Sequence, residues 1–399
     1  MAGPLTGIKV LDLSRVMAGP WAGQLLADLG ADVIKVERPG QGDETRTWGP
    51  PFLPGDEGRP DQNSGYYLSV NRGKRSVVAD LNTADGQRTV RALASRSDIL
   101  LENYKVDTLK RFGLDYESLR ESCTRLIYCS ITGFGQTGPR RAHAAYDFII
   151  QAMGGLMSIT GGPDDQPGGG PQKVGIPIVD IMTGMYAAVA VLAALERRHR
   201  TGAGDHIDLA MFDVQAAFLA NQAMNYLLTG KTPIRRGNRH PNIQPQNVFR
   251  CRDGYMALAV GNDAQFGKLC EVIGVPELAD DARFRTNAGR VRNLPELEPL
   301  LAERFAREDA LPWVTRLESA GVPAGRINSL GQVFADEQLV ERAMLRELPH
   351  PRAGTVPNVV SPMRFANAPL EFPRAAPLLG EHTAAVLDEL GRARDEGSA

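Results

Sequence analysis

Ile8-Lys9-Val10-Leu11-Asp12-Leu13 is a short apolar run, residues 21–29 follow with helical spacing and stop at Gly30, and Asp32-Val33-Ile34-Lys35-Val36-Glu37 is apolar again. That is the pattern of a βαβ unit. Further strand-like runs at 76–80, 99–102 and 126–130 alternate with helical segments such as 86–95, as a mostly parallel sheet covered by helices requires. The expected fold class is therefore α/β, with a Rossmann-like large domain. After the first strand, Ser14-Arg15-Val16-Met17-Ala18-Gly19-Pro20 stands where a dinucleotide site carries G-x-G-x-x-G, so neither a nicotinamide nor a flavin cofactor is supported.

Outward from this unit, Gly161-Gly162 and Gly168-Gly169-Gly170 flank Asp164-Asp165 and read as a mobile surface loop; no G-K-[ST] follows to make it a phosphate cradle. Residues 180–197 read as a long apolar helix, and 205–228 as a strand running into another helix. The character then changes. A strand at Gly254-Tyr255-Met256-Ala257-Leu258-Ala259-Val260 and amphipathic helices at 263–273, 296–307 and 310–320 predict a smaller α+β domain. The expected boundaries are 1–224 for the large domain, 225–330 for the small domain with its linkers, and 331–399 for a segment that returns to the large domain, extended over 339–364.

The length of 399 residues exceeds what one hydrophobic core usually organises, which also favours two domains. With 43% hydrophobic and 23% charged residues and a net charge of -2, the chain is globular in class and has no global basic field for nucleic acid. Any anionic ligand must be met by a local cluster of cations. Cys123, Cys129, Cys251 and Cys270 form no C-x-x-C pair, so neither a metal site nor a disulfide framework is expected and a cytoplasmic setting fits. No leader is evident, and the richest apolar stretch, 186–195, falls well short of the ~20 residues that span a bilayer, so no membrane is expected.

Ile8 to Ser14, Ala18-Gly19-Pro20, Leu29-Gly30-Ala31-Asp32-Val33-Ile34-Lys35-Val36-Glu37-Arg38-Pro39-Gly40 and Gly42-Asp43 together resemble the N-terminal signature of the class III, or CaiB/BaiF, CoA-transferases. Asn71-Arg72-Gly73-Lys74-Arg75-Ser76, Glu102-Asn103-Tyr104, the run from Gly133 to Pro139, Tyr146-Asp147 and Asp180-Ile181-Met182-Thr183-Gly184-Met185 continue it in the family's order, as do Gly321-Val322-Pro323 and the run from Pro377 to Thr383. The resemblance implies an acyl-CoA:carboxylate CoA-transferase with no tightly bound cofactor, a coenzyme A thioester as substrate, and an interlocked homodimer.

On this resemblance Asp180 is the catalytic carboxylate, forming a mixed anhydride and then an aspartyl-CoA thioester. Its position before an apolar run is also that of a helix N-cap, and the two roles are compatible. Arg15, Met17, Arg38, Lys74, Arg75, Asn103, Tyr104 and Arg111 fall where the family holds CoA; Tyr146, Asp147, Gln136 and His240 are candidates for the acyl pocket or for orienting groups in it. A lysine that some relatives place three residues before Asp147 is Ala144 here.

Residues 237–245 lack the four-glycine run of formyl-CoA transferases. They look more like the branch that handles succinyl-CoA with dicarboxylates such as glutarate, itaconate or mesaconate, and Arg46, Arg72, Arg239 and His240 are candidates for the acceptor's second carboxylate. Two rivals stand beside this reading. An α-methylacyl-CoA racemase needs a histidine directly before Asp147, where Tyr146 stands with an ordinary pKa of ~10, although His143 is three residues earlier. A non-catalytic CoA-binding protein has no need of Asp180.

Overall fold

The computed structural model describes residues 3–59 and 62–396. Its centre is a six-stranded parallel sheet: β1 (Lys9–Asp12), β2 (Asp32–Glu37), β3 (Arg75–Val78), β4 (Ile99–Glu102), β5 (Ile127–Thr132) and β6 (Asp205–Ala210), in the order β3-β2-β1-β4-β5-β6. The chain winds outward from β1 in one direction, then returns to β1 and winds the other way. Every residue of β4 and β5 is buried, which is why these strands read as continuous apolar runs and not as alternating ones. The strand order reverses between β1 and β4, so the loops leaving these two strands part at the carboxyl edge and leave a crevice.

Helices Ala18–Asp28 and Ile178–Thr201 cover one face, packing Leu26 and Val191 against Val10, Ile99, Leu101 and Ile131. The other face buries Leu11, Leu100 and Tyr128 beneath Val90 and Leu93 of helix Ala84–Ala94, and Val386 and Leu390 of the last helix join the same cluster. Helix Ile178–Thr201 corrects two expectations. It begins before Asp180, which is the third helical residue and not the cap, and at 24 residues it is long and apolar enough by length and composition to cross a membrane. Its buried side packs on the sheet and on Ala18–Asp28. Near its far end, buried Arg198 donates to the carbonyl oxygens of Arg125 (3.0 Å) and Asp98 (3.3 Å) and to the Asp98 carboxylate (2.8 Å), at the amino edge of β4 and β5.

The chain divides into two compact units, one of residues 1–156, 174–224 and 340–399, the other of 157–173 and 225–339. The second unit is α+β. Antiparallel strands β7 (Gln246–Cys251), β8 (Gly254–Ala259) and β9 (Ala324–Arg326) pack with helices Asp263–Val272, Leu294–Phe305 and Ala310–Ser319 around Phe249, Met256, Phe266, Phe305 and Trp313.

Its extent differs from the expected 225–330. The glycine-rich segment 157–173 belongs to it, because Gly161 O accepts from Gly237 N (3.0 Å) and Arg235 pairs with Asp164 and donates to Ser158 O (3.1 Å). Residues 331–339 group with it too. Within the segment expected to be extended, β10 (Leu345–His350) and β11 (Gly354–Val359) form an antiparallel hairpin, burying Leu348 and Val356 against Leu53 and Ala375 in the first unit.

Candidate active site

The loops leaving β1 and β4 are tied together by one side chain. Asn103 accepts from Arg15 N (2.8 Å) and donates to Arg15 O (2.6 Å), so the backbone of residue 15 is held on both sides. Glu102, buried at the end of β4, accepts from Tyr104 N (2.8 Å) and fixes the next corner. The Arg15 guanidinium pairs with Glu44 and lies 5.0 Å above the Tyr104 ring. Around these groups is a cavity of about 280 Å³, lined by Arg15, Val16, Ala18, Trp48, Asn103, Tyr104, Lys105, Tyr146 and Asp180 among others, all from the first unit. A second recess of about 190 Å³ shares Arg15 and Tyr104 with it and adds Arg38, Asn82, Thr108 and Phe112.

Asp180 enters the cavity from the first turn of helix Ile178–Thr201. Neighbouring helix Asp147–Met153 supplies the cap that the long helix lacks: the buried Asp147 carboxylate accepts from Val179 N (2.7 Å), Asp180 N (3.2 Å) and Gln151 Nε2 (2.5 Å). Burial, and then the Asp147 charge, push the Asp180 carboxyl up to about 7. Such a group is anionic in part of the molecules at neutral pH and is poorly solvated when it is, which suits a carboxylate that attacks carbon.

Tyr66 was not among the sequence candidates. Burial, followed by the charges of Asp180, Asp147 and Asp43, pushes its hydroxyl well above the usual range, so it stays a donor near Asp180. Its ring meets Trp48 edge-on at 5.2 Å.

The expected CoA contacts divide. Arg15, Asn103 and Tyr104 line the cavity and Arg38 lines the recess, whereas Arg111 is exposed beside it with its guanidinium 5.7 Å from the Phe112 ring. Met17 is buried behind the loop, contrary to expectation, and presents almost no surface. Lys74 is also a correction. It is wholly buried and its three N–H groups go to Asp12 (2.8 Å), Pro20 O (2.9 Å) and Asn71 (2.9 Å), leaving none for a phosphate. Arg75 opens β3 at the amino edge of the sheet, the end opposite the crevice, and pairs there with Asp32 and Glu389.

Of the acyl-pocket candidates, Tyr146 lines the cavity and Asp147 lies behind Asp180. Gln136 lines a neighbouring recess with Glu102 and His206, its backbone N held by Asp208. His240 belongs to the second unit, where its Nδ1 accepts from Asn242 N (3.1 Å) and Ile243 N (3.0 Å) and staples its own loop. Arg46 is wholly buried on Glu37, Arg72 is bound to Asp28, and Arg239 to Glu298, so each of these guanidinium groups is already committed. His143 lines the cavity edge-on to Phe134, and Tyr146 stands directly before Asp147.

The model of CoA-transferase family III matches residues 5–383. A succinate–glutarate CoA-transferase of Agrobacterium fabrum is 50% identical over 387 residues, covering 97% of this chain and 96% of its own. An acetyl-CoA:oxalate CoA-transferase of Acetobacter aceti is 40% identical over 390 residues, covering 97% of this chain and 96% of its own. Among solved structures, a CaiB/BaiF family protein from Brucella suis superposes with a TM-score of 0.86 at 48% identity, covering 98% of this chain and 100% of that one. A crevice at the β1/β4 switch point, a carboxylate of raised pKa at its wall and matches across nearly the whole length agree: the chain is an enzyme of CoA-transferase family III.

Proposed function

We propose that the chain moves CoA from succinyl-CoA to a dicarboxylic acid, glutarate first among them, with Asp180 as the covalent carrier. The Asp180 carboxylate attacks the thioester carbonyl; the C–S bond breaks, giving a mixed anhydride and CoA thiolate. The thiolate attacks the aspartyl carbonyl, expelling succinate and leaving an aspartyl-CoA thioester. The acceptor carboxylate then attacks that carbonyl and releases the thiolate, which attacks the acceptor's acyl carbon and frees Asp180. No water is consumed, so the thioester free energy passes to the product.

The observation that carries this reading is the half-buried Asp180 carboxyl, raised to about 7 in a cavity that shares walls with a cation-bearing recess. Arg38 and Arg15 suit the phosphate-bearing end of CoA, and the Asn103–Tyr104 corner suits its pantetheine arm. The family relatives support the transferase over the racemase and over a non-catalytic CoA binder. Leu227 and Leu228, 70% and 78% exposed, and Val189, 61% exposed, are apolar surface suited to a second copy of the chain in an interlocked dimer. Four free cysteines suit a reducing cytoplasm.

The test is intact-protein mass spectrometry after incubation with succinyl-CoA and hydroxylamine, with wild type and Asp180→Ala, alongside a panel of glutarate, itaconate, mesaconate and oxalate. A hydroxamate on Asp180 and CoA on glutarate are expected. Transfer that persists in Asp180→Ala, or α-proton exchange of a 2-methylacyl-CoA without transfer, would overturn the proposal.

A further inference from the structure

Four non-glycine residues among those described have left-handed backbone, and Val16, with φ 70°, is the β-branched one. Valine rarely takes this conformation, because its two γ-carbons crowd the neighbouring peptide, so the surroundings must impose it. They do so from several sides. Val16 N donates to both oxygens of Asp43 (3.2 and 3.3 Å). Asp43 is held in turn by the Lys35 ammonium at 2.9 Å, both side chains having no exposure, and by its own N–H on Glu37 (2.9 Å). Lys35 also donates to Ser14 O (2.7 Å), so the same ammonium grips the loop directly and through Asp43. On the loop's other flank stands the Asn103 clamp on Arg15. The output of these contacts is a turn that brings Arg15, Val16 and Ala18 to the wall of the Asp180 cavity.

We infer that the buried Lys35–Asp43 pair is a positioning element for the transfer reaction, holding Val16 in a strained turn so that the loop after β1 meets the thioester bound at Asp180. The N-terminal signature thus acts from beneath the site: Lys35 and Asp43 border the recess that holds Arg38, but their side chains have no exposure and work through Val16. The inference rests on the proposed role of Asp180.

The test is a double-mutant cycle of Asp43→Asn and Val16→Gly, read as kcat/KM for succinyl-CoA per folded molecule, with Tm measured in parallel. Glycine takes φ near 70° without penalty, so it keeps the turn when the clamp is weakened. Asp43→Asn is expected to lower kcat/KM by about 10²-fold in the Val16 background. In the Val16→Gly background the same change costs about threefold or less, while the loss in Tm from Asp43→Asn is the same in both. Where Asp43→Asn fails to fold because Lys35 is left without its partner, Lys35→Met/Asp43→Asn, which buries no lone charge, takes its place in the cycle. Full kcat/KM in the clamp variants, or equal losses in both backgrounds, overturns the inference. Wild-type transfer with no Asp180 adduct overturns the reading on which it rests.

Discussion

The carboxylates under the sheet's carboxyl edge and the one at the cavity wall, all in the first unit, behave in opposite ways. Asp12, Glu37 and Asp43 lie under the sheet's carboxyl edge; burial works against their charge, yet Lys74 at Asp12, Arg46 at Glu37 and Lys35 at Asp43 outweigh it and hold each below its ordinary value. Asp180 is half-buried and in no ion pair among the described residues; loss of solvent and then the Asp147 charge raise it. Removal from water without a cation raises a carboxyl here, and Glu102 at the end of β4 is likewise pushed up to about 7; what sets Asp180 apart is that it lines the cavity. The paired set is not symmetrical. Asp12 answers to two lysines, whereas Lys74 has burial against it and the Lys35 charge nearby, and its ammonium is pushed down to about 8.

The largest expected effect lies at the group without a cation. Asp180→Asn should lower kcat by about 10⁴-fold or more in a CoA-transfer assay, as loss of a covalent nucleophile does. The same change tests the electrostatics. A carboxyl whose folded pKa is raised from 3.8 to about 7 stabilises the fold while protonated, and that stability is lost as pH rises through 7. The loss begins near the ordinary value and is complete above the raised one, so Asp180→Asn should raise Tm by about 4 °C at pH 8 and by less than half as much at pH 5. An equal rise at both pH values would remove the contrast between the two groups.

Next come changes in the paired set. Lys74→Met removes one partner of a fully buried pair and should cost roughly 3 kcal/mol in urea unfolding. A neutral result would mean that Lys35 alone suffices for Asp12. Asp147→Asn sharpens the comparison further. It keeps an oxygen for the Val179 and Asp180 amides but removes the charge, so the acid limb of kcat/KM should move below 7; burial, the larger cause, stops it short of the ordinary carboxylate range. The smallest effect is expected at exposed Arg38. Arg38→Ala should raise KM for the acyl-CoA about threefold at low salt and less at high salt.

The βαβ unit at the start was legible because its strands are buried on both sides and its helix ends at glycine, which are local signals. Asp180 stands out in the sequence only through the family resemblance; spacing alone gives a helix start, and the structure places the helix start two residues earlier. Lys74 and Arg75 were misjudged for a physical reason. A cation in sequence looks the same whether its partner is a ligand phosphate or a carboxylate far along the chain, and here the partners are Asp12, Asp32 and Glu389. Tyr66 and Trp48 carry no sequence signal because long-range folding alone brings them beside helix Ile178–Thr201. The β10–β11 hairpin was read as an extended tail because Pro349, Pro351 and Pro357 mask strand periodicity.

Helix Ile178–Thr201 is anchored at both edges of the sheet, by Asp147 at Val179 and Asp180 and by Arg198 at Asp98 and Arg125. At 1.5 Å per residue the two anchors are ~27 Å apart, more than the ~20 Å of a six-residue strand such as β5. The helix is thus a ruler laid along the strands: its length sets how far Asp180 protrudes, and a register slip at the Arg198 end would withdraw the carboxylate from the crevice without altering any residue that lines it.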